Sequence, residues 1–215
     1  MASILSVNVG SPRPGYAKGA ASGIVKEPVA AVEVRDPGPK GGPVTSGVVG
    51  DAVLDRRHHG GTTQAVYAVA REELNWWGAH LGRELADGMF GENLTTLGLD
   101  VDGAVLGELW RVGETVVLEV CGPRVPCATF AARMGEPRWV RRFTERGRTG
   151  AYLAVRTPGT IAPGDPVEVI ERPSHGFTVP ELFRAWSGDR DLAAALLVSD
   201  ALHPVVRAEL AARQP

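Results

Sequence analysis

Glycine and proline cut this chain into short apolar segments, and that punctuation restricts its fold more than any other feature. Among 215 residues there are 27 glycines and 16 prolines. Between them lie Val29 to Val34, Val66 to Val69, Thr115 to Cys121, Ala151 to Arg156 and Pro166 to Glu171, rich in valine and bounded by Gly or Pro. Short runs of β-branched residues with turn residues at both ends read as strands. The alternation Ile4-Leu5-Ser6-Val7-Asn8-Val9 reads the same way. Many short strands separated by turns favour a barrel or a sandwich. The run Pro37-Gly38-Pro39-Lys40-Gly41-Gly42-Pro43 cannot hold regular structure and is expected to form a surface loop.

Helical spacing appears in three places. In Arg71 to Leu85, Leu74, Trp77 and Leu81 share a face, which predicts a helix inserted between strands. In Glu136 to Gly147, Trp139, Val140 and Phe143 fall on one face, with Arg138, Arg141, Arg142 and Glu145 mostly on the other. Those arginines are either a solvated face or, with Arg148, a grip on a phosphate, for which the bidentate guanidinium is suited. From Ser174 the texture turns helical. Thr178-Val179-Pro180-Glu181 is a capping-box pattern ahead of Leu182, Phe183 and Trp186. Asp189 is placed to cap Asp191 to Val198, and Pro204 suits the first turn of a last helix through Ala212. Three short helices are too small to fold alone, so they are expected to pack on the barrel or on another subunit, which leaves room for a homodimer. The expected organisation is a β-rich (α+β) domain over 1–172 and a helical extension over 173–215.

A formal net charge of −2 gives no reason to expect nucleic acid or an anionic membrane as the main partner. No apolar stretch approaches the ~20 residues needed to span a bilayer. The N-terminus lacks a basic region and cleavage site, so no secretory signal is expected and the expected compartment is the cytoplasm. Cys121 and Cys127, the only cysteines, make no disulfide framework and cannot supply four ligands to an iron–sulfur cluster. His58, His80, His175 and His203 have no partner at metal-ligand spacing, so a conventional zinc site is not expected and they read as structural or exposed.

Three compact motifs remain. In Gly122-Pro123-Arg124-Val125-Pro126-Cys127, Pro126 fixes its own φ and pushes Val125 into an extended conformation, so the sulfur is aimed by stiff chain. Arg124 favours the thiolate, the form that acts as nucleophile or soft metal ligand. Standing alone, a cysteine is more often a small buried hydrophobe. The other two motifs are Asp55-Arg56-Arg57-His58-His59-Gly60-Gly61 and Phe90-Gly91-Glu92-Asn93-Leu94-Thr95-Thr96-Leu97-Gly98. Each by itself reads as a turn.

In this order and rough spacing, the three motifs resemble the MOSC domain family, named for the C-terminal domain of molybdenum cofactor sulfurases, and within it the YiiM-type proteins. The resemblance runs from about Ser22 to Arg172, with Gly150 to Val169 as a closing strand pair, and continues into the helical tail. It implies a MOSC-type β-barrel with inserted helices and a C-terminal three-helix appendage. It also implies a molybdenum cofactor in a cleft of the barrel, with Cys127 as the one protein thiolate on the metal and a pyranopterin dithiolene supplying two more sulfurs. Lys26 aligns with a strand-borne lysine of the family and is expected either to contact the pterin or its phosphate or to be an ordinary exposed lysine, and Lys26 or Arg124 is expected to supply positive charge on that wall. His59 is expected to hydrogen bond at the pterin or near the metal, and Asn93, Thr95 and Thr96 at the pterin's amide-like edge. Glu92 stands where more distant relatives carry an apolar residue or proline.

The implied reaction is two-electron reduction of an N-hydroxylated small molecule to its amine, with hydroxylamino-purines and other hydroxylamines as substrates. The chain has no iron–sulfur module or dinucleotide fingerprint, so electrons are expected from a separate donor protein. Two other readings stay open: a handler of cofactor or sulfur with a persulfide on Cys127, and a barrel that binds a ligand without turning it over.

Overall fold

The structure is a computed structural model that describes residues 1–15 and 19–214. Its strands are β1 (Ser3–Gly10), β2 (Lys26–Val29), β3 (Val32–Val34), β4 (Val66–Ala70), β5 (Leu94–Leu97), β6 (Leu109–Val112), β7 (Val116–Pro123), β8 (Ala151–Thr157), β9 (Gly159–Ile161) and β10 (Val167–Glu171). The helices are α1 (Arg71–Leu81), α2 (Ala128–Met134), α3 (Trp139–Arg146), α4 (Val179–Trp186), α5 (Arg190–Val198) and α6 (Pro204–Ala211).

Eight strands form one mixed sheet in the order β10-β6-β7-β8-β4-β5-β1-β2, and β3 and β9 form a separate ribbon. Only β4 and β5 pair in parallel; the other pairs in the large sheet are antiparallel. A parallel pair needs a crossover, and α1 supplies it. This is why a helix interrupts an otherwise all-strand region. The sheet curls until its two sides meet. Ile4 N donates to Asp165 O at 2.9 Å, Gly164 N to Ile4 O at 2.8 Å and Val167 N to Ala2 O at 2.9 Å, joining the start of β1 to the entry of β10.

Two apolar cores result. One fills the concave side of the sheet with Ile4, Val7, Trp110, Leu118 and Leu153, and it continues without a break into Val179, Leu182, Leu196, Val206 and Leu210 of the tail. The other lies under α1, α2 and α3 and is largely aromatic. Trp77, Phe90, Phe130, Trp139 and Phe143 pack with ring centroids as close as 4.5 Å. Within the tail, the capping box at Thr178 and Glu181, the Asp189 cap on Leu192 N and the start of α6 at Pro204 all form as the residue pattern predicts. No helix among the described residues is long and apolar enough to cross a membrane.

Several boundaries differ from expectation. Val29 to Val34 is not one strand, because β2 pairs with β1 and β3 pairs with β9, so the chain changes sheets at Ala30 and Ala31. The first helix stops at Leu81, not Leu85, where Gly82 adopts φ 65° and closes it with a bond to Gly78 O. The helix expected from Glu136 begins at Trp139, because Arg138 sits at φ 54°. β8 and β10 do not pair with each other; β7 and β6 lie between them.

Candidate functional site

The Cys127 sulfur stands where the chain turns from β7 into α2. Cys127 occupies the N-cap position with φ −131° and ψ 171°, the extended geometry usual for an N-cap residue. Its side chain is half-buried against the aromatic core. Cys121 differs. It lies 3% exposed inside the sheet, its Sγ faces Glu119 O at 3.6 Å, and burial pushes its thiol well up.

Arg124 is the centre of the cluster. Its side chain is buried, and its guanidinium carbon lies 4.4 Å from the Phe130 ring centroid and 5.1 Å from that of Tyr67. The Nε has no hydrogen-bond acceptor, and no ion pair forms to this arginine among the described residues. Its charge is felt by Tyr67, Tyr152, Cys127 and Glu92. A buried cation without an anion is an unusual expense for a fold, and aromatic faces compensate it only in part.

His59 joins the cluster from the second motif. Burial first and the neighbouring Arg124 charge second hold its pKa down to about 4, so it is neutral at ordinary pH. The two following glycines explain how it gets there. Gly60 and Gly61 adopt φ 86° and 83°, and a Cβ would lie 2.5 Å from Thr45 O at the first and 2.8 Å from Lys40 N at the second. Only glycine lets the 38–45 loop pass so closely.

Lys26, Asn93 and Asp51 make the adjoining wall. The Lys26 ammonium lies 2.5 Å from Asp51 Oδ1, with side-chain exposures of 8% and 2%. Burial is the main cause of the downward shift of its pKa, opposed by Asp51. Asp51 also accepts from Gly10 N at 2.8 Å, Ser46 Oγ at 3.2 Å and Asn93 Nδ2 at 3.1 Å. Asn93 Oδ1 accepts from Tyr67 N, and Nδ2 donates also to Asn8 O. The Asn93 carboxamide is thus engaged at every corner by protein.

The same holds for Thr95, which accepts from Asn8 Nδ2 at 3.2 Å and donates to Glu92 Oε1 at 3.1 Å. Strand alternation turns Thr96 to the opposite face, where its buried hydroxyl has no partner among the described residues. Glu92 braces the third motif by accepting from Gly88 N at 2.6 Å and Phe90 N at 2.9 Å. Burial outweighs those bonds and lifts its carboxyl to about 7.

Arg124 is close enough for its charge to act on Cys127, His59 and Lys26, and Asp51 braces Lys26 and Asn93 together as one wall. A Cβ on Gly91 would lie 3.9 Å from Arg124 Nη1, which ties the third motif to the cluster. Thr96 is not brought in. The arginines of α3 are matched to carboxylates: Arg141 to Glu145, Arg142 to Glu136 and Arg146 to Glu73, while Arg148 reaches Asp100 at 2.9 Å. They form a paired face, exposed at Arg141 and Glu145 and sunk into the protein at Arg146 and Glu73. Sequence reasoning missed Asp51, Tyr67 and Tyr152. The only local sign of Asp51 was a lone acid after glycine, which carries no chemistry without its partners. Two hollows, of about 640 Å³ between Glu119, Arg156, His175 and His203 and of about 380 Å³ beside Trp76, His80 and Arg146, lie elsewhere.

Among the described residues no group of three or more His, Cys, Asp or Glu could hold a metal ion by itself. One half-buried thiol, one buried cation with no ion pair among the described residues and one neutral imidazole suit a different kind of guest, a cofactor that brings most of its metal's ligands and an anionic end. The molybdenum cofactor fits that description.

A model of the MOSC domain matches residues 55–168. The Bacillus subtilis protein YflK is 32% identical over 179 residues, covering 82% of this chain and 77% of that protein. A Gibberella moniliformis protein named reductase is 33% identical over 178 residues, covering 79% of this chain but 32% of its own length. The crystal structure of YiiM from Geobacillus stearothermophilus superposes with a TM-score of 0.76 at 26% identity, over 99% of both chains.

Proposed function

The chain belongs to the MOSC domain family, and on that premise we propose that it is a molybdenum-cofactor-dependent reductase of N-hydroxylated small molecules, supplied with electrons by a separate donor protein. The observation that carries this reading is the buried Arg124 guanidinium, without a carboxylate of its own, beside the Cys127 thiol. A fold tolerates an unpaired buried cation when a ligand brings the missing anion.

In this reading Cys127 is the protein's ligand to the metal, and Arg124 faces the anionic end of the cofactor. His59, neutral, gives or takes one hydrogen bond without adding charge. Lys26 contributes an ammonium already matched by Asp51. Tyr152, half-buried with its phenol held protonated by burial, lies close to both Arg124 and Cys127 and helps to fence the sulfur from water. When bound, the cofactor supplies the two-electron chemistry, and the protein supplies orientation and electrostatics. The overall balance is R–NHOH + 2 e⁻ + 2 H⁺ → R–NH₂ + H₂O. The fungal relative's name, reductase, agrees with this class.

The test is protein made in a host that synthesises molybdenum cofactor, assayed for metal, for pterin fluorescence after oxidation, and for hydroxylamine reduction with reduced viologen. Molybdenum near one per chain, lost in Cys127→Ser, is the expected result. A persulfide on Cys127 with no molybdenum would replace this reading with that of a sulfur carrier.

A further inference from the structure

One buried carboxylate, in none of the three motifs, meets groups from four separate parts of the chain. Asp51 Oδ1 holds the Lys26 ammonium of β2 at 2.5 Å and the Gly10 amide of β1 at 2.8 Å. Its Oδ2 holds the Asn93 carboxamide at 3.1 Å and the Ser46 hydroxyl at 3.2 Å. Asn93 in turn reaches Tyr67 N and Asn8 O, so the same carboxylate is linked through it to β1, to β4 and to the loop that carries Glu92. We propose that Asp51 is a positioning residue of the site, which aims the Lys26 ammonium and the Asn93 loop at the Arg124 cluster.

The need for such a residue follows from the charges around Lys26. The groups that act on its ammonium are Asp51, Glu92 and Arg124, and of these Arg124 is a like charge. With the lysine side chain 8% exposed, water cannot take the place of a counterion. Removing the negative charge of Asp51 would strand Lys26 between a desolvated environment and a second cation. The amine would be pushed further toward its neutral form and lose its hold, and Asn93 Nδ2 would be left with its bond to Asn8 O alone. Breaking a buried pair from one side costs far more than replacing both partners by uncharged groups.

What the site binds rests on the function proposed above; the positioning role does not, and the experiment separates the two. Full-length protein with ¹³C-labelled lysine is titrated by NMR as wild type, Asp51→Asn and Asp51→Glu. The Lys26 midpoint should move down in Asp51→Asn and return toward wild type in Asp51→Glu. Molybdenum per chain, in protein from a host that makes the cofactor, should fall roughly tenfold in Asp51→Asn and recover in Asp51→Glu.

The paired variant Lys26→Met with Asp51→Asn leaves no charge stranded. It should unfold near the wild-type temperature and still carry little molybdenum, which shows that molybdenum loss at this wall does not come from unfolding. An unchanged Lys26 titration in Asp51→Asn would overturn the proposal. So would equal molybdenum loss in Asp51→Asn and Asp51→Glu that merely follows their loss of thermal stability. Wild-type protein that takes up no molybdenum would remove the reductase reading, while the Lys26 titration would still decide the role of Asp51.

Discussion

Burial holds the His59 imidazole down to about 4 and lifts the Glu92 carboxyl to about 7 and the Asp102 carboxyl to about 6. The imidazole and the two carboxyls act in opposite directions on the stability of the apo protein. Below its ordinary value of 6.5 the unfolded chain protonates His59 first, so its contribution is complete above 6.5 and is lost as pH falls toward 4. For Glu92 the unfolded chain releases its proton first, so its contribution is complete below 4.5 and is lost as pH rises through 7. Asp102 follows Glu92 between 3.8 and 6. With two carboxyls against one imidazole, urea midpoints should fall gently from about pH 4 to 7 in wild type. They should be nearly flat in Glu92→Gln and fall more steeply in His59→Asn, each group contributing at most about 1.4 kcal/mol per pH unit. Arg124→Met should leave apo stability unchanged or raised by about 1–4 kcal/mol, since it removes an unpaired buried charge, while abolishing cofactor retention. A marked drop in apo stability would mean that the arginine is structural. Cys127→Ser should shift stability by no more than about 1–2 kcal/mol and lose the metal. Cys121→Ser should keep it, and the reverse pattern would reassign the ligand.

At the scale of elements, what could be read from the residues and what could not divide along a physical line. Features fixed by neighbouring residues were legible: the Thr178–Glu181 capping box, the Asp189 cap, the valine-rich strands β4, β7 and β8, and the irregular 37–43 loop. Features fixed by distant partners were not. α2 is seven residues long, and the left-handed Arg138 separates it from α3, so its apolar positions did not stand out from the surrounding pattern. The switch of sheets between β2 and β3 depends on β9, more than a hundred residues away. The site divides in the same way. The cysteine, arginine and histidine announce themselves by motif, whereas Asp51 acquires meaning only when Lys26, Asn93 and Gly10 arrive around it. The glycines beside His59 offer a direct check. Gly61 lies at φ 83° and ψ 169°, a region closed to other residues, with Lys40 N in the way of any side chain. Gly61→Ala should cost about 1–3 kcal/mol and displace His59, seen as a return of its titration toward 6.5.

Across the whole molecule, the C-terminal helices complete the fold. Leu182 and Leu196 share a continuous apolar core with Leu118 and Leu153, and Leu106 N donates to Phe177 O at 2.9 Å while Val179 N donates to Ala104 O at 3.1 Å. A chain ending at residue 172 should expose that face. It is expected to be recovered mainly as aggregate, or to bind hydrophobic dye with loss of near-UV circular dichroism, and a soluble, cooperatively unfolding 1–172 fragment would contradict this. The bracing around Asn93, Glu92 and Asp51 has a thermodynamic consequence as well. Their polar atoms are already bonded to backbone and neighbouring side chains, so the wall does not have to be ordered when a guest arrives. Little conformational entropy remains to be lost on that side. Calorimetry of cofactor uptake should accordingly report an exchange dominated by enthalpy, with the entropic penalty confined to the guest and to the few less constrained groups, Cys127 and Arg124 foremost.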